Sequence, residues 1–364
     1  MTGLRVEVSG ETGYDGVMFG LRFPFLCFLC VLCCVAGFAP AKDARAAAGD
    51  GRILFIGNSF TYFNQMPLML QGLAQASGIP LTCRMQAEGA ATLQSHWDNP
   101  GQGKSRLESG SWRYVVLQEQ SSTPVGRADA MKKYAGLFGK LIREKGAIPV
   151  LFVTWGYREE KASGGVNGEM QKILTLEYAR RAEETGALLV PVGPAWAACM
   201  RLHPKANLYL EDGQHPSALG SYLTACVFYA TLFRKSPVGL PGTMAAGKHV
   251  VCDIPAAQAR ALQQVAWETC RTFDGRKFLE AYAAEQSRIV SKEELKPKLT
   301  RDLTYDALVA MIGKPTHANA EGRTYQFGLR NRVMLLAVFS PEMKLQSASF
   351  HSEEGGGSER VEVK

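Results

Sequence analysis

The sequence predicts an α/β fold: a five-stranded parallel sheet covered by helices on both faces, followed by a small C-terminal α+β domain. Short, largely apolar strand-like runs alternate with helical stretches between about residues 51 and 240. Parallel neighbours need a crossover connection, and helices alternating with strands supply it on both faces of a sheet. From Leu299 the pattern changes to one short helix and then three strand-like runs. At 364 residues the chain is long enough to bury more than one core.

The elements follow in order. Residues 1–17 are polar and Gly-rich, and from Met18 the chain resembles an export signal. Arg22 precedes an apolar run from Phe23 to Phe38, and Ala44-Arg45-Ala46 supplies a small-residue cleavage site. Residues 1–46 are therefore read as a signal peptide with its true start at Met18, and the protein as exported, periplasmic or secreted. An uncleaved membrane anchor is the minor reading, because the run is short for a spanning helix. Five strands are expected at Ile53–Ile56, Leu81–Met85, Tyr114–Leu117, Ile148–Val153 and Leu188–Val192. Helices are expected at Met66–Ser77, Ala128–Lys145, Glu169–Thr185 and Ser217–Phe233. Their apolar residues recur at three- and four-residue spacing, as in Tyr134, Leu137, Phe138, Leu141 and Ile142. These elements make up a main domain over 51–240.

Residues 241–298 read as a helical extension or linker, entered through the Pro/Gly-rich stretch from Pro237 to Gly247 and containing a helix over Ala256–Cys270. A small domain over 299–352 opens with a helix at Thr304–Ile312, stopped by Gly313 and Pro315. Strand-like runs follow at Arg323–Phe327, Val333–Phe339 and Gln346–Phe350. Residues 353–364, rich in Gly, Ser and charge, read as a disordered tail.

Charged residues make up 21% and apolar residues 46%, an ordinary globular balance, and the net charge is +7. No dense Lys/Arg block or basic-aromatic stripe is present, which argues against a nucleic-acid partner. Cys27, Cys30, Cys33 and Cys34 lie in the leader, leaving Cys83, Cys199, Cys226, Cys252 and Cys270. An odd count in an exported chain leaves at least one thiol free or bonded to another molecule. Cys252 and Cys270 are a candidate pair, and Cys226, in an apolar helical run, reads as a buried inert thiol.

Ligands of a parallel sheet gather beyond the carboxyl ends of its strands. Ser59, Gly89 and Gln120 each follow an expected strand, so all three are placed at that edge. The run Arg52-Ile53-Leu54-Phe55-Ile56-Gly57-Asn58-Ser59 ends an apolar strand in a turn that presents a hydroxyl. Far downstream, Asp212-Gly213-Gln214-His215-Pro216 supplies an acid and a histidine three residues apart. A serine that attacks needs a base, and the base needs an orienting group. Each stretch alone is a common turn; the two together, in this order on this pattern, are specific.

Gly57-Asn58-Ser59, Ala87-Glu88-Gly89-Ala90 and Asp212-Gly213-Gln214-His215-Pro216 resemble blocks of the SGNH/GDSL hydrolase superfamily, over most of residues 51–235. The resemblance implies a three-layer α/β/α sandwich with five parallel strands, of flavodoxin-like type, and hydrolysis of esters or thioesters without cofactor or metal. It implies Ser59 as nucleophile, His215 as base and Asp212 as the group that orients His215. The oxyanion hole would be formed by the N–H groups of Ser59 and Gly89 and, after the third strand, by a side-chain amide. There the family carries Gly-x-Asn-Asp, whereas this chain has Gln118-Glu119-Gln120-Ser121. Alignment on the strand puts Gln120 in the asparagine's place, with the same donor on a longer arm. This marks a divergent branch. Gln118 is left without a role, and Glu119 is read as exposed or as standing one layer behind the site.

The substrate class expected from export and the resemblance is a small-molecule or polysaccharide ester, with removal of acetyl from carbohydrate preferred. The alternatives are a lysophospholipase or thioesterase, and a non-hydrolytic or acyl-transferring polysaccharide-binding module in an envelope assembly. His96 is read as lining the cleft or as a surface or supporting group. Trp155-Gly156-Tyr157-Arg158 is read as a site for a sugar ring or anionic substituent or, equally, as packing. His203, His249, His317 and His351 have no acid or serine block around them, and no histidine–carboxylate cluster has metal-ligand spacing. Leu303 to Thr316, ending in Ile312-Gly313-Lys314-Pro315, resembles the opening helix of BamE/SmpA-like envelope domains. That resemblance implies a non-catalytic module that contacts an envelope protein or packs on the main domain.

Overall fold

The computed structural model describes residues 51–158, 168–246, 249–319, 321–352 and 357–363. The expected signal peptide, its cleavage site and its four cysteines lie outside these residues. Among those described, the first half of the chain runs β1 (Arg52–Gly57), α1 (Ser59–Tyr62), α2 (Met66–Ala76), β2 (Thr82–Ala87), α3 (Leu93–Asp98), α4 (Gly103–Glu108) and β3 (Tyr114–Leu117). It continues through α5 (Thr123–Gly126), α6 (Ala128–Glu144), β4 (Ile148–Phe152), α7 (Glu169–Thr185), β5 (Leu188–Val190), α8 (Val192–Leu202) and α9 (Ala218–Phe233).

The five strands pair parallel in the order β2-β1-β3-β4-β5. The chain leaves β1 toward β2 on one side and returns to place β3 on the other. The order therefore reverses at β1, and the crevice where a ligand is expected opens beyond the ends of β1 and β3. In register, Gly57 stands beside Ala87 of β2 and Ile56 beside Leu117 of β3, so the loops after all three strands leave from one edge.

Both faces of the sheet are apolar, as parallel strands require. Ile53, Phe55, Val116, Val150 and Phe152 point into a core shared with α2, α8 and α9. Leu54, Ile56, Val115, Leu117 and Leu151 point into a second core with α3, α6 and α7. Helix α9 is buried on almost all sides, which explains its unbroken apolar run. Its start is set by Ser217, whose hydroxyl accepts from the Gly220 N–H.

The rest of the chain comprises β6 (Thr243–Ala246), β7 (His249–Asp253), α10 (Ala256–Thr272), α11 (Gly275–Ser287), α12 (Lys292–Leu295), α13 (Tyr305–Ile312), β8 (His317–Asn319), β9 (Thr324–Leu329), β10 (Val333–Phe339), β11 (Leu345–Ser352) and β12 (Ser358–Val361). Here the structure corrects the sequence reading in three places. Residues 241–298 are not only a helical linker. They begin with the antiparallel pair β6–β7, and Met244, Cys252, Ile254, Ala259, Leu262 and Val265 complete the first core. The tail is not disordered throughout: β12 pairs antiparallel with β11 and buries Val361, because β11 would otherwise end the sheet with an open edge. Cys252 and Cys270 are not bonded. The Cys252 thiol donates to Gly242 O and the Cys270 thiol faces Thr231, and all five cysteines of the described chain are free.

The C-terminal strands form an antiparallel sheet in the order β12-β11-β10-β9-β8, two strands more than the runs seen in the sequence. Its core of Phe327, Leu335, Phe339 and Phe350 is closed by Leu308 of α13 and also draws in Leu295 and Leu299. Two arginines of the β9–β10 turn bind it to its surroundings. Arg330 donates to the carbonyls of Gln286, Ser287 and Ile289 at the end of α11. Arg332 donates to Val125 O in α5. No helix among the described residues is long and apolar enough to cross a membrane.

Candidate active site

The first component is the turn that ends β1. Asn58 caps the short helix α1 by accepting the Phe60 N–H at 3.1 Å, and its own amide donates to Ala91 O at 3.0 Å. Its main-chain N–H donates to Gln118 Oε1 at 2.9 Å, and the same oxygen accepts the Thr61 hydroxyl at 2.9 Å. Gly57 is needed here for space rather than for backbone freedom. A Cβ on it would stand 2.6 Å from both Gln118 Oε1 and Thr61 Oγ1. Ser59 is the first residue of α1, so its N–H has no acceptor within the helix.

The second component is the Asp212–His215 turn. Gly213 adopts φ +68°, the left-handed conformation that lets the chain fold back so tightly. Asp212 Oδ1 accepts the N–H groups of Gln214 at 2.9 Å and His215 at 3.0 Å. Its Oδ2 lies 2.5 Å from His215 Nδ1, and His215 Nε2 lies 2.9 Å from Ser59 Oγ. A carboxylate beside Nδ1 favours the tautomer with the proton there, leaving Nε2 free to accept from the serine. Partial burial raises the Asp212 carboxyl, but the bonds from the His215 ring and from two N–H groups outweigh it and hold the pKa at about 2.

Two surfaces fix the histidine ring. Phe63 stacks on it with centroids 4.5 Å apart, and Phe60 meets it edge-on at 5.8 Å. Asn64, at φ +51°, sends its amide to Pro216 O at 3.0 Å and Ser221 Oγ at 2.9 Å, joining the Ser59 segment to the residues just after His215.

The segment after β4 braces the same turn. Trp155 Nε1 donates to Gln214 O at 2.9 Å, and the Arg158 N–H donates to Gly213 O at 2.8 Å. The Arg158 guanidinium reaches Leu210 O at 2.7 Å and Asn207 Oδ1 at 3.1 Å, while the Tyr209 hydroxyl donates to Gly156 O at 2.7 Å. Of the two readings of Trp155-Gly156-Tyr157-Arg158, packing holds for Trp155. Its ring is wholly buried between Phe60 and Trp196, so it is not free to stack on a sugar. His96 neither lines the cleft nor reaches the surface. It is fully buried with Nε2 at 2.7 Å from Gly57 O, and burial lowers its pKa, so a neutral ring donates to the carbonyl that ends β1.

The third component is the loop after β3. Gln120 Oε1 is surrounded by donors, accepting the N–H and hydroxyl of both Ser122 and Thr123 at 2.9–3.2 Å. That saturation fixes the amide's orientation, with Nε2 as its donor end, 3.2 Å from Ser121 Oγ. Gly89 lies in the exposed turn after β2, where a Cβ would come 3.7 Å from the Tyr62 hydroxyl at the far end of α1. Ser59, His215 and Asp212 are thus joined by direct bonds. Gly89 and Gln120 reach the same sheet edge on separate loops.

The sequence left one residue that shapes this site without a role and a second between two positions. Gln118, left without a role, is the fully buried amide that holds the Asn58–Ser59 turn. Glu119 is 1% exposed, which excludes an exposed position and puts it behind the site. A polar residue directly after a strand's apolar run was the available signal for Gln118. For Glu119 there was none, because its partners are main-chain groups.

No family model and no curated protein matches the chain. Among solved structures, a Slackia heliotrinireducens protein assigned to the SGNH hydrolases is 31% identical over 50% of this chain and 100% of its own, with a TM-score of 0.43. The chain belongs to the SGNH hydrolase superfamily. A DUF4886 family protein from Bacteroides uniformis shares the fold, at 20% identity over 61% of this chain and 95% of its own, with a TM-score of 0.50. The α/β SGNH fold expected from the sequence is the fold observed. Among the described residues no cluster of His, Cys, Asp or Glu has the arrangement of a metal site.

Proposed function

We propose that this SGNH hydrolase cleaves carboxylic esters through an acyl-serine intermediate. The observation that carries the reading is the unbroken chain from Ser59 Oγ through His215 to Asp212. Ser59 Oγ attacks the ester carbonyl while its proton passes to His215 Nε2. Asp212 stabilises the imidazolium that results. The oxyanion takes the N–H of Ser59, the N–H of Gly89 and Gln120 Nε2, donors of a kind worth about 3 kcal/mol each in the transition state. Collapse expels the alcohol, which takes the proton from His215. Water, deprotonated by the same ring, then releases the acid and restores Ser59.

The preferred substrate is an acetylated carbohydrate met outside the cytoplasm, a reading supported by the leader-like pattern of residues 1–46 and by no specificity residue. We assign the C-terminal sheet a contact with an envelope protein on the same footing. The test is turnover of p-nitrophenyl acetate by purified protein, with fluorophosphonate labelling. Ser59→Ala is expected to abolish labelling and lower kcat by about 10³-fold or more. Unchanged turnover in that variant removes Ser59 as nucleophile. Product analysis with a sugar acceptor added separates hydrolysis from acyl transfer.

A further inference from the structure

Two carboxylates of the described chain are almost wholly buried, and they are treated differently. Glu177 is met by the guanidinium groups of Arg180 and Arg181. Glu119, 1% exposed, is instead met by main-chain N–H groups. Its Oε1 accepts from Gln120 N at 2.7 Å and from Leu93 N at 3.1 Å. Its own N–H donates to the Tyr178 hydroxyl at 2.9 Å, which anchors it on α7. Burial pushes its carboxyl up to about 7, with the Gln120 and Leu93 N–H groups and then Arg127 offsetting this only in part. A buried acid is costly to keep, and such groups concentrate at functional sites.

The two N–H groups belong to different loops. Leu93 begins α3 and ends the loop that carries Gly89, whereas Gln120 is the side-chain donor of the loop after β3. One carboxyl oxygen therefore spans two of the three segments that supply the oxyanion hole. The third, the Ser59 turn, is tied to the Gly89 loop by Asn58 Nδ2 on Ala91 O and to the β3 loop by Gln118. The segments are pinned pairwise, and Glu119 is the pin between the two that do not contain the nucleophile.

We propose that Glu119 is a positioning residue of the oxyanion hole, its bridging oxygen setting the separation between the Gly89 loop and the Gln120 amide. The proposal rests on the ester-hydrolase reading. Glu119 touches no reacting atom; it acts through the placement of two donors. Glutamine keeps the bridging oxygen, aspartate is one methylene too short to reach both N–H groups, and leucine removes the acceptor.

The test uses full-length protein with p-nitrophenyl acetate, measuring kcat, KM and thermal midpoint for Glu119→Gln, Glu119→Asp, Glu119→Leu, Gln120→Ala and the double variant Glu119→Asp/Gln120→Ala. Misplaced oxyanion donors lower kcat rather than raise KM, so Glu119→Asp and Glu119→Leu are expected to lose about 10–100-fold in kcat with KM within about twofold. Glu119→Gln is expected to stay within about threefold of the parent. Adding Glu119→Asp to Gln120→Ala is expected to cost much less than Glu119→Asp alone, because residues acting through one group are not additive. Full multiplicative losses in the double variant overturn the proposal, as does a Glu119→Gln loss equal to that of Glu119→Asp. If Glu119→Leu does not fold, the Gln and Asp comparison still decides. Ser59→Ala is measured alongside: full activity there defeats the hydrolase reading itself, whereas its loss with additive Glu119 and Gln120 effects defeats only the positioning role.

Discussion

Replacing Gln118 with methionine tests how the Asn58–Ser59 turn is held. Met has nearly the length and volume of Gln, so Gln118→Met opens little cavity and the change isolates hydrogen bonds. The amide bonds three buried groups: the Asn58 N–H at 2.9 Å, the Thr61 hydroxyl at 2.9 Å and the Glu119 carbonyl at 2.6 Å. The Thr61 hydroxyl can rotate to another acceptor, but the two main-chain groups are fixed. Two orphaned buried groups at about 1–3 kcal/mol each give an expected loss of about 2–6 kcal/mol. That is a large share of the roughly 5–15 kcal/mol by which a folded protein is stable. Urea unfolding followed by tryptophan fluorescence reports it through Trp155 and Trp196, stacked at 3.9 Å and wholly buried. With a slope of about 3 kcal/mol per M, the midpoint is expected to fall by about 0.7–2 M at unchanged slope. A loss below about 1 kcal/mol refutes the reasoning, since it means the turn keeps its shape without Gln118.

The other predictions concern the same site from different sides. Gly57→Ala drives a methyl to 2.6 Å from Gln118 Oε1, and it is expected to cost about 1–3 kcal/mol in thermal unfolding together with most of the ester turnover. Arg158→Ala removes the guanidinium bonds to Leu210 O and Asn207 but leaves Trp155 on Gln214 O; kcat is expected to fall several-fold, with Arg158→Lys recovering only part, as a single ammonium cannot replace the fork. Glu119 also has a pH signature. Its ordinary value is 4.5 and its folded value about 7, so between these the folded state holds more protons than the unfolded one and stability falls as pH rises through the window. Glu119→Gln is expected to flatten that slope in urea titrations from pH 4.5 to 7.5, with Arg127 and Tyr178 unchanged as neighbours; an unaltered slope rules out Glu119 as its source.

The sheet was legible because its inner strands β1, β3 and β4 are buried on both faces and so carry nearly unbroken apolar runs. Its boundaries shifted by a residue or two where main-chain pairing, not side-chain type, decides the end; β5 stops at Val190 because Val192 already begins α8. Ser59 and the Asp212–His215 turn were legible because their geometry is local: a cap on Asn58 and a left-handed Gly213. The β6–β7 hairpin escaped notice because Thr243-Met244-Ala245-Ala246 has little strand preference and pairs only because Met244 and Cys252 bury together. The short β12 was hidden likewise, with Val361 as its single buried apolar residue. Gln118 was left without a role, and Glu119 and His96 between a supporting and another reading, because each has a main-chain partner distant in sequence, which leaves no mark on residue type.

Asn64 and Gln65 both adopt left-handed backbone, an unfavourable choice for non-glycine residues that the local chain has no means to hold on its own. What holds Asn64 lies 152 and 157 residues further on, at Pro216 O and Ser221 Oγ. Contacts of such separation form late, after the loop between them has been closed at an entropic cost. On this argument Ser59 and His215 are expected to meet only when α9 docks, after β1 and β3 have paired. The proposed ester turnover would then be a clock for the last step of folding: in refolding experiments it should return no sooner than the slowest fluorescence phase, and turnover returning ahead of that phase would show that the site assembles before α9 does.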